Sequence, residues 1–331
     1  DAGNIAIGDA SGAAIAMTSG SDILFDSLTS TGSTTLTATS GTIGANAGAG
    51  DITASGVGQS INLFANNVAV GALATNDGDI LVSAAQDIAL GSAATSAGTP
   101  TAGSIGLLAG NNITSTGSLD AGEDVAIRAL GDVALTTASA GDDMSVDADG
   151  AISLTSATTS GTGIDLFALA FNTANAGQAG SIAFAAETLT GSNIQLDSGT
   201  DVTATGTLNA IDNISITATG AAAATNAISG SNTDITGASV TLDNGNIAGN
   251  LTLNALAGNI DSNGTVVVGN AIDLDATGDA GFSDLTAQAG TIAITAGASI
   301  NGGNLTAANN ISLDAGNIAI GDASGAAIAM T

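Results

Sequence analysis

The chain contains no His, no Cys, no Trp and no Tyr, a single Pro and a single basic residue, Arg128, in 331 residues. Each absence removes a class of chemistry. Without His and Cys there is no usual zinc or copper site, no iron–sulfur cluster, no Cys protease and no Ser-His-Asp triad. One cation cannot follow a phosphate backbone, which excludes nucleic acid as a partner, and a P-loop has no Lys to work with. No run of 18 or more apolar residues is present to form a membrane helix. Six Phe, with no Trp or Tyr, cannot supply the aromatic girdles of a membrane barrel, so no membrane insertion is expected. The lack of Cys fits a reducing compartment, or a surface protein that does not rely on disulfides.

Bulky apolar residues are also scarce. Hydrophobic types make up 44% of the chain, but much of that is Ala. With a net charge of −29, this composition lies close to the boundary of disorder. Only the placement of the aliphatic residues argues against disorder. Order must come from many small, regular contacts, because there is little material for a thick globular core.

Residues 1–18 read DAGNIAIGDASGAAIAMT, and residues 314–331 repeat them letter for letter at an offset of 313. The simplest reading is a tandem array, with residues 1–313 as one repeat unit and 314–331 as the first rung of the next. The chain opens on Asp with no leader-like stretch and is read as a segment of a longer protein. Inside the long period, an aliphatic-x-aliphatic-x-Ala pattern recurs, as in Ile61/Leu63/Ala65, Ile80/Val82/Ala84, Ile105/Leu107/Ala109, Val125/Ile127/Ala129, Ile272/Leu274/Ala276 and Ile292/Ile294/Ala296. Most neighbouring copies lie 18 to 21 residues apart, with exceptions of 25 between Ile80 and Ile105 and 12 between Ile182 and Ile194.

Alternation with period two is a strand signal. A five-residue strand cannot bury its apolar face alone, but stacking on its copy does so. Gly, Asn, Asp, Ser and Thr between copies read as turns. The fold class expected is therefore all-β: a parallel β-solenoid of about 16 rungs per repeat, rising about 4.8 Å per rung. Stretches 95–103 (with Pro100), 172–180 and 220–232 read as excursions from its corners, and no second domain is expected.

Residues 103–139, GSIGLLAGNNITSTGSLDAGEDVAIRALGDVALTTAS, resemble the repeats of filamentous-haemagglutinin-type large exoproteins. The resemblance is carried by G-x-I-x-L-x-A-G-x-x-I followed by G-x-L-x-A, and it extends over essentially the whole chain. It implies a secreted or surface-attached, right-handed parallel β-helix used in adhesion. Two departures are plain: the family's secretion domain has no counterpart here, and its scattered Lys and Arg are missing.

Acidity is the main chemical feature. All but Asp314 and Asp322 of the 30 acidic residues fall within one period. That amounts to roughly one net charge per 3 Å of solenoid axis, against about 1.7 Å per charge in duplex DNA. Asp suits turns and keeps a fibre soluble. The densest cluster is Asp142, Asp143, Asp147 and Asp149, the residues on which a Ca²⁺ site would be placed. The segment from Ser145 to Gly150 loosely resembles the start of an EF-hand loop but lacks its closing Glu. Asp142/Asp143 also invite a glycosidase reading, which the absence of aromatic platforms and basic groups opposes. No catalysis and no required cofactor are expected.

Alternation also places some apolar residues outward: Phe64, Phe167, Leu169 and Phe171 above all, with Leu24, Leu81 and Leu108 in similar positions. They read either as a stripe for lateral self-association or as surface covered by the neighbouring excursions. Arg128 points outward and is expected to pair with Glu123, Asp124 or an Asp of the adjacent rung. The function expected is an extracellular structural filament or spacer, joined to itself end to end through tandem repeats. The rivals are the stalk of a cell-surface adhesin with its binding tip elsewhere and a calcium-responsive matrix or sheath fibre.

Overall fold

The structure, a computed structural model, describes residues 3–95, 102–159, 168–172, 180–184 and 188–331, with 168–172 and 188–190 described by backbone alone. Among the described residues every regular element is a β-strand, and no helix is long and apolar enough to cross a membrane. The chain forms two units, residues 1–170 and 171–331. Both are built as parallel β-solenoid, about 15 turns in all.

In the first unit, one face is a stack of five-residue strands. These are Ile15–Ser19, Thr34–Ala38, Ile61–Ala65, Ile80–Ala84, Ile105–Ala109, Val125–Ala129 and Met144–Ala148. Each pairs with the next in parallel and in register. Their first, third and fifth residues point inward. In the Ile105 turn, Ile105, Leu107 and Ala109 are all buried, as period-two alternation requires.

The remainder of each turn is not the run of turns that composition suggests. In most turns it is a second, longer strand, such as Ile88–Ala94, Ile113–Ala121 or Val133–Ala140, and in others two strands in succession, such as Ile23–Phe25 and Ser27–Ser30. In Ile113–Ala121 the buried positions are Ile113 and Ser115, then Leu119 and Ala121. None of Thr116–Gly117–Ser118 between them is buried, and the register to the next strand shifts there. The strand therefore bends there, and each turn has three sides. Burying one Ile or Leu in such a turn contributes about 1.5–3 kcal/mol, so stability accumulates turn by turn.

The second unit repeats this design. Its short strands are Asn193–Ser198, Ile214–Ala218, Thr233–Gly237, Leu251–Ala255, Ile272–Ala276, Ile292–Ala296, Ile311–Asp314 and Ile328–Met330, all stacked in register. Two expectations are corrected here, and two turns not recognised in the sequence are added. The stretch 220–232 is no excursion: Ala221–Ser229 is a strand paired on both edges. Its Ala residues look loop-like in sequence, but three of them, Ala222, Ala224 and Ala227, are buried. Ile182 belongs to the long-strand side, since it pairs with Val202, which explains its odd spacing from Ile194. Finally, Thr34–Ala38 and Thr233–Gly237 are turns that the aliphatic pattern passes over. Their inward Thr34 and Thr233 are satisfied by buried hydroxyl pairs with Ser30 (3.0 Å) and Ser229 (2.9 Å).

The 25-residue spacing between Ile80 and Ile105 leaves the ladder untouched, because the two residues pair directly. The described residues on either side of the extra length, Thr95 and Ala102–Gly103, meet at one corner through Thr95. This fully buried hydroxyl donates to the Gly103 carbonyl at 2.9 Å and accepts the Gly122 N–H at 2.8 Å. Residues 96–101, including Pro100, and residues 173–179 of the other expected excursion lie outside the described residues.

Candidate functional site

Three surface features carry chemistry: the acidic corners, the Arg128 cluster and the exposed apolar residues of the short-strand face.

The corners give nine of the 30 acidic residues a structural role. An Asn or Asp commonly stands one residue before a strand, and its side-chain oxygen accepts the backbone N–H of the residue one turn on. In the first unit, Asn67 accepts from Asp87 (3.3 Å), Asp87 from Asn112 (3.0 Å), Asn112 from Asp132 (2.8 Å) and Asp132 from Ala151 (2.8 Å). In the second unit, a ladder of Asn does the same: Asn193 accepts from Asn213, Asn213 from Asn232, Asn232 from Asn250 and Asn250 from Ala271, at 2.9–3.3 Å. Asp22, Asp26, Asp51, Asp79, Asp124, Asp201 and Asp279 accept corner N–H groups in the same manner. At a corner the backbone cannot continue the sheet ladder, and a short side-chain acceptor replaces it. The alternation of Asn and Asp along one ladder shows that the role needs the oxygen rather than the charge. Accordingly, Asp132→Asn is expected to leave the melting temperature nearly unchanged. Asp132→Ala should cost about 1 kcal/mol, read by thermal or urea unfolding.

The sequence cluster proposed for Ca²⁺ is divided by the fold. Asp142 and Asp143 sit at the corner before the strand Met144–Ala148, Asp147 points outward from that strand, and Asp149 follows it. Four strand steps at about 3.3 Å each separate the two ends. The Asp143 N–H donates to Asp124 Oδ1 at 3.2 Å, and the Asp142 N–H donates to the Glu123 carbonyl at 3.0 Å. Asp147 and Asp149 converge instead on Arg128, which pairs in register with Asp147 from the preceding turn. Nη1 lies 2.5 Å from Asp147 Oδ2, and Nη2 lies 2.9 Å from Asp149 Oδ1. Among the described residues, no group of three or more acidic, His or Cys side chains is placed to hold a metal ion. The Arg128 partners are thus the adjacent-turn Asp residues and not Glu123 or Asp124. With all three side chains partly exposed, the pairs add little stability.

Of the apolar residues placed outward, Phe64 (38% exposed), Leu81 (40%) and Leu108 (50%) do project from the short-strand face, and Leu130 (56%) stands beside them. Leu24 is half-buried. Phe167 lies outside the described residues, and Leu169 and Phe171 fall in the strand Ala168–Asn172, known by backbone alone. Leu130 and the corner ladder were missed in the sequence. The ladder had a readable signal in Asp79-Ile80, Asp132-Val133, Asn213-Ile214 and Asn250-Leu251, an Asn or Asp immediately before an inward aliphatic residue.

Comparison of the chain with protein-family models, with curated proteins and with solved structures finds no match.

Proposed function

We propose that the chain is a stretch of an extracellular structural filament or spacer, built from tandem 313-residue solenoid repeats. One observation carries this reading. The same 18-residue sequence pairs forward in one unit and backward in the other, using the same positions. Ile5 pairs with Ile23, and its counterpart Ile318 pairs with Ile300. Ala10 pairs with Leu28, and Ala323 with Leu305. Ile15 pairs with Thr34, and Ile328 with Ile311. A single turn of this sequence therefore has a fitting neighbour on each edge, with inward residues in line on both. In a tandem array it would join one repeat to the next without a cap. Backbone ladders and apolar columns supply stiffness, and the acidic surface keeps the fibre soluble.

The test compares a protein of one period with a protein of two joined periods by electron cryomicroscopy. The expected result is an unbranched rod with rungs about 4.8 Å apart, whose length doubles, at roughly 72 Å for each period of about 15 turns. Two compact particles on a flexible tether would overturn it. A distinct density at one end of rods made from the natural full-length chain would turn the spacer into an adhesin stalk.

A further inference from the structure

The short-strand face of the first unit differs from the same face of the second. On Thr34–Ala38, Ile61–Ala65, Ile80–Ala84, Ile105–Ala109 and Val125–Ala129, no residue is a carboxylate. On the second unit's short strands, the outward positions include Asp197, Asp234, Asp273, Asp275 and Asp314. In a chain of net charge −29, a five-turn carboxylate-free face bearing exposed Phe64, Leu81 and Leu108 is a surface on which two copies can meet without bringing negative charges together. Along the C-terminal ends of its strands runs a shallow open depression of about 560 Å³ lined by Phe64, Ser83, Leu108, Leu130 and Arg128 among others.

Register makes this face self-complementary. Each strand presents two outward positions, its second and fourth residues. Turn by turn they read Asn62 and Phe64, Leu81 and Ser83, Gly106 and Leu108, Ala126 and Arg128, aligned in two columns. From Leu81 onward, a large residue stands beside a small one, and the large one changes column between the second and third of these turns. A two-fold axis parallel to the solenoid axis exchanges the columns and keeps the turns level. It sets Leu81 over the other copy's Ser83, Leu108 over its Gly106, Phe64 over its Asn62 and Arg128 over its Ala126.

We propose that this face is a lateral interface with a second copy of the chain, the two solenoids lying side by side and parallel. Five strands about 4.8 Å apart and about 17 Å long give a footprint of roughly 400 Å² per copy. That is below the area of a stable dimer. A single chain therefore pairs weakly, with a Kd on the order of 0.1–1 mM. The pairing is independent of the tandem reading. Joined repeats would multiply it through effective concentration.

The 331-residue chain, studied by sedimentation equilibrium up to millimolar concentration, should show a monomer–dimer equilibrium. That equilibrium should tighten at least about threefold from 0.05 to 0.5 M NaCl, because salt screens the repulsion between two acidic rods. Leu108→Asp should abolish the dimer. Ser83→Leu is the discriminating variant. It enlarges the apolar surface yet fills a recess, so the interlocking face predicts at least a fivefold weaker dimer. Leu81→Ala, which removes the matching projection, should weaken it as well and serves if Ser83→Leu melts early. Circular dichroism confirms the fold of each variant. A dimer strengthened by Ser83→Leu would mean unspecific adhesion and overturn the proposal. A chain monomeric at every concentration and salt would do the same, leaving the face to a partner of another kind.

Discussion

Ile127→Asp is expected to melt the turns around it while more distant turns of the same unit stay folded. Ile127 is buried between Leu107 and Val146, its register partners in the turns before and after. A carboxylate there loses its hydration and finds no cation, since Arg128, the only one in the chain, points to the opposite face. The cost is about 4 kcal/mol. In a solenoid each turn contacts only its neighbours, so the damage is local. Hydrogen exchange should show lost protection in Ile105–Ala109, Val125–Ala129 and Met144–Ala148, with Ile23–Phe25 and Thr34–Ala38 still protected. Ala126→Asp, one residue away and outward, should change stability by less than about 0.5 kcal/mol. Equal effects from the two variants would refute the inward–outward assignment on which every other inference about this face depends.

The second large effect is expected at Gly302. Phe282, only 7% exposed, points inward between Ser262 and Gly302. A Cβ built on Gly302 would fall inside the ring's van der Waals envelope, against Cδ2, Cε2 and Cζ. The glycine is required by volume rather than by backbone angle: a ring in one turn is housed in the space its neighbour leaves empty. Gly302→Ala should cost about 1–3 kcal/mol by overpacking. Phe282→Leu opens that space, so the double variant should be little worse than Phe282→Leu alone. The resulting coupling would be about 1–2 kcal/mol in a double-mutant cycle. Strictly additive losses would mean that the ring does not lie over Gly302.

The short-strand face was legible in the sequence because its inward residues are Ile, Leu and Val at strict alternation. The longer strand was not. Its inward residues are often Ala or Ser, such as Ser115, Ala138 and Ala224, and its mid-strand bend breaks the alternation after two inward positions. Thr34 and Thr233 escaped because a buried hydroxyl pair replaces the aliphatic contact. At the surface, alternation correctly turned Phe64, Leu81 and Leu108 outward, a local property. The separation of Asp142 and Asp143 from Asp149 is local too, since the strand Met144–Ala148 stands between them. The convergence of Asp147 and Asp149 on Arg128 is not local, because it depends on register between turns. Distances of that kind become visible only when one turn is laid on another.

The turn that fits its neighbours on both edges has a consequence for how such a molecule changes over generations. Where copies are identical at their borders, unequal exchange between them inserts or removes whole periods. The ladder at the new junction is the same as at any old one. Reach then becomes a quantity that can be lengthened or shortened in fixed steps without any new junction having to be invented. In the tandem array proposed above, selection sets the number of turns while leaving their internal packing untouched.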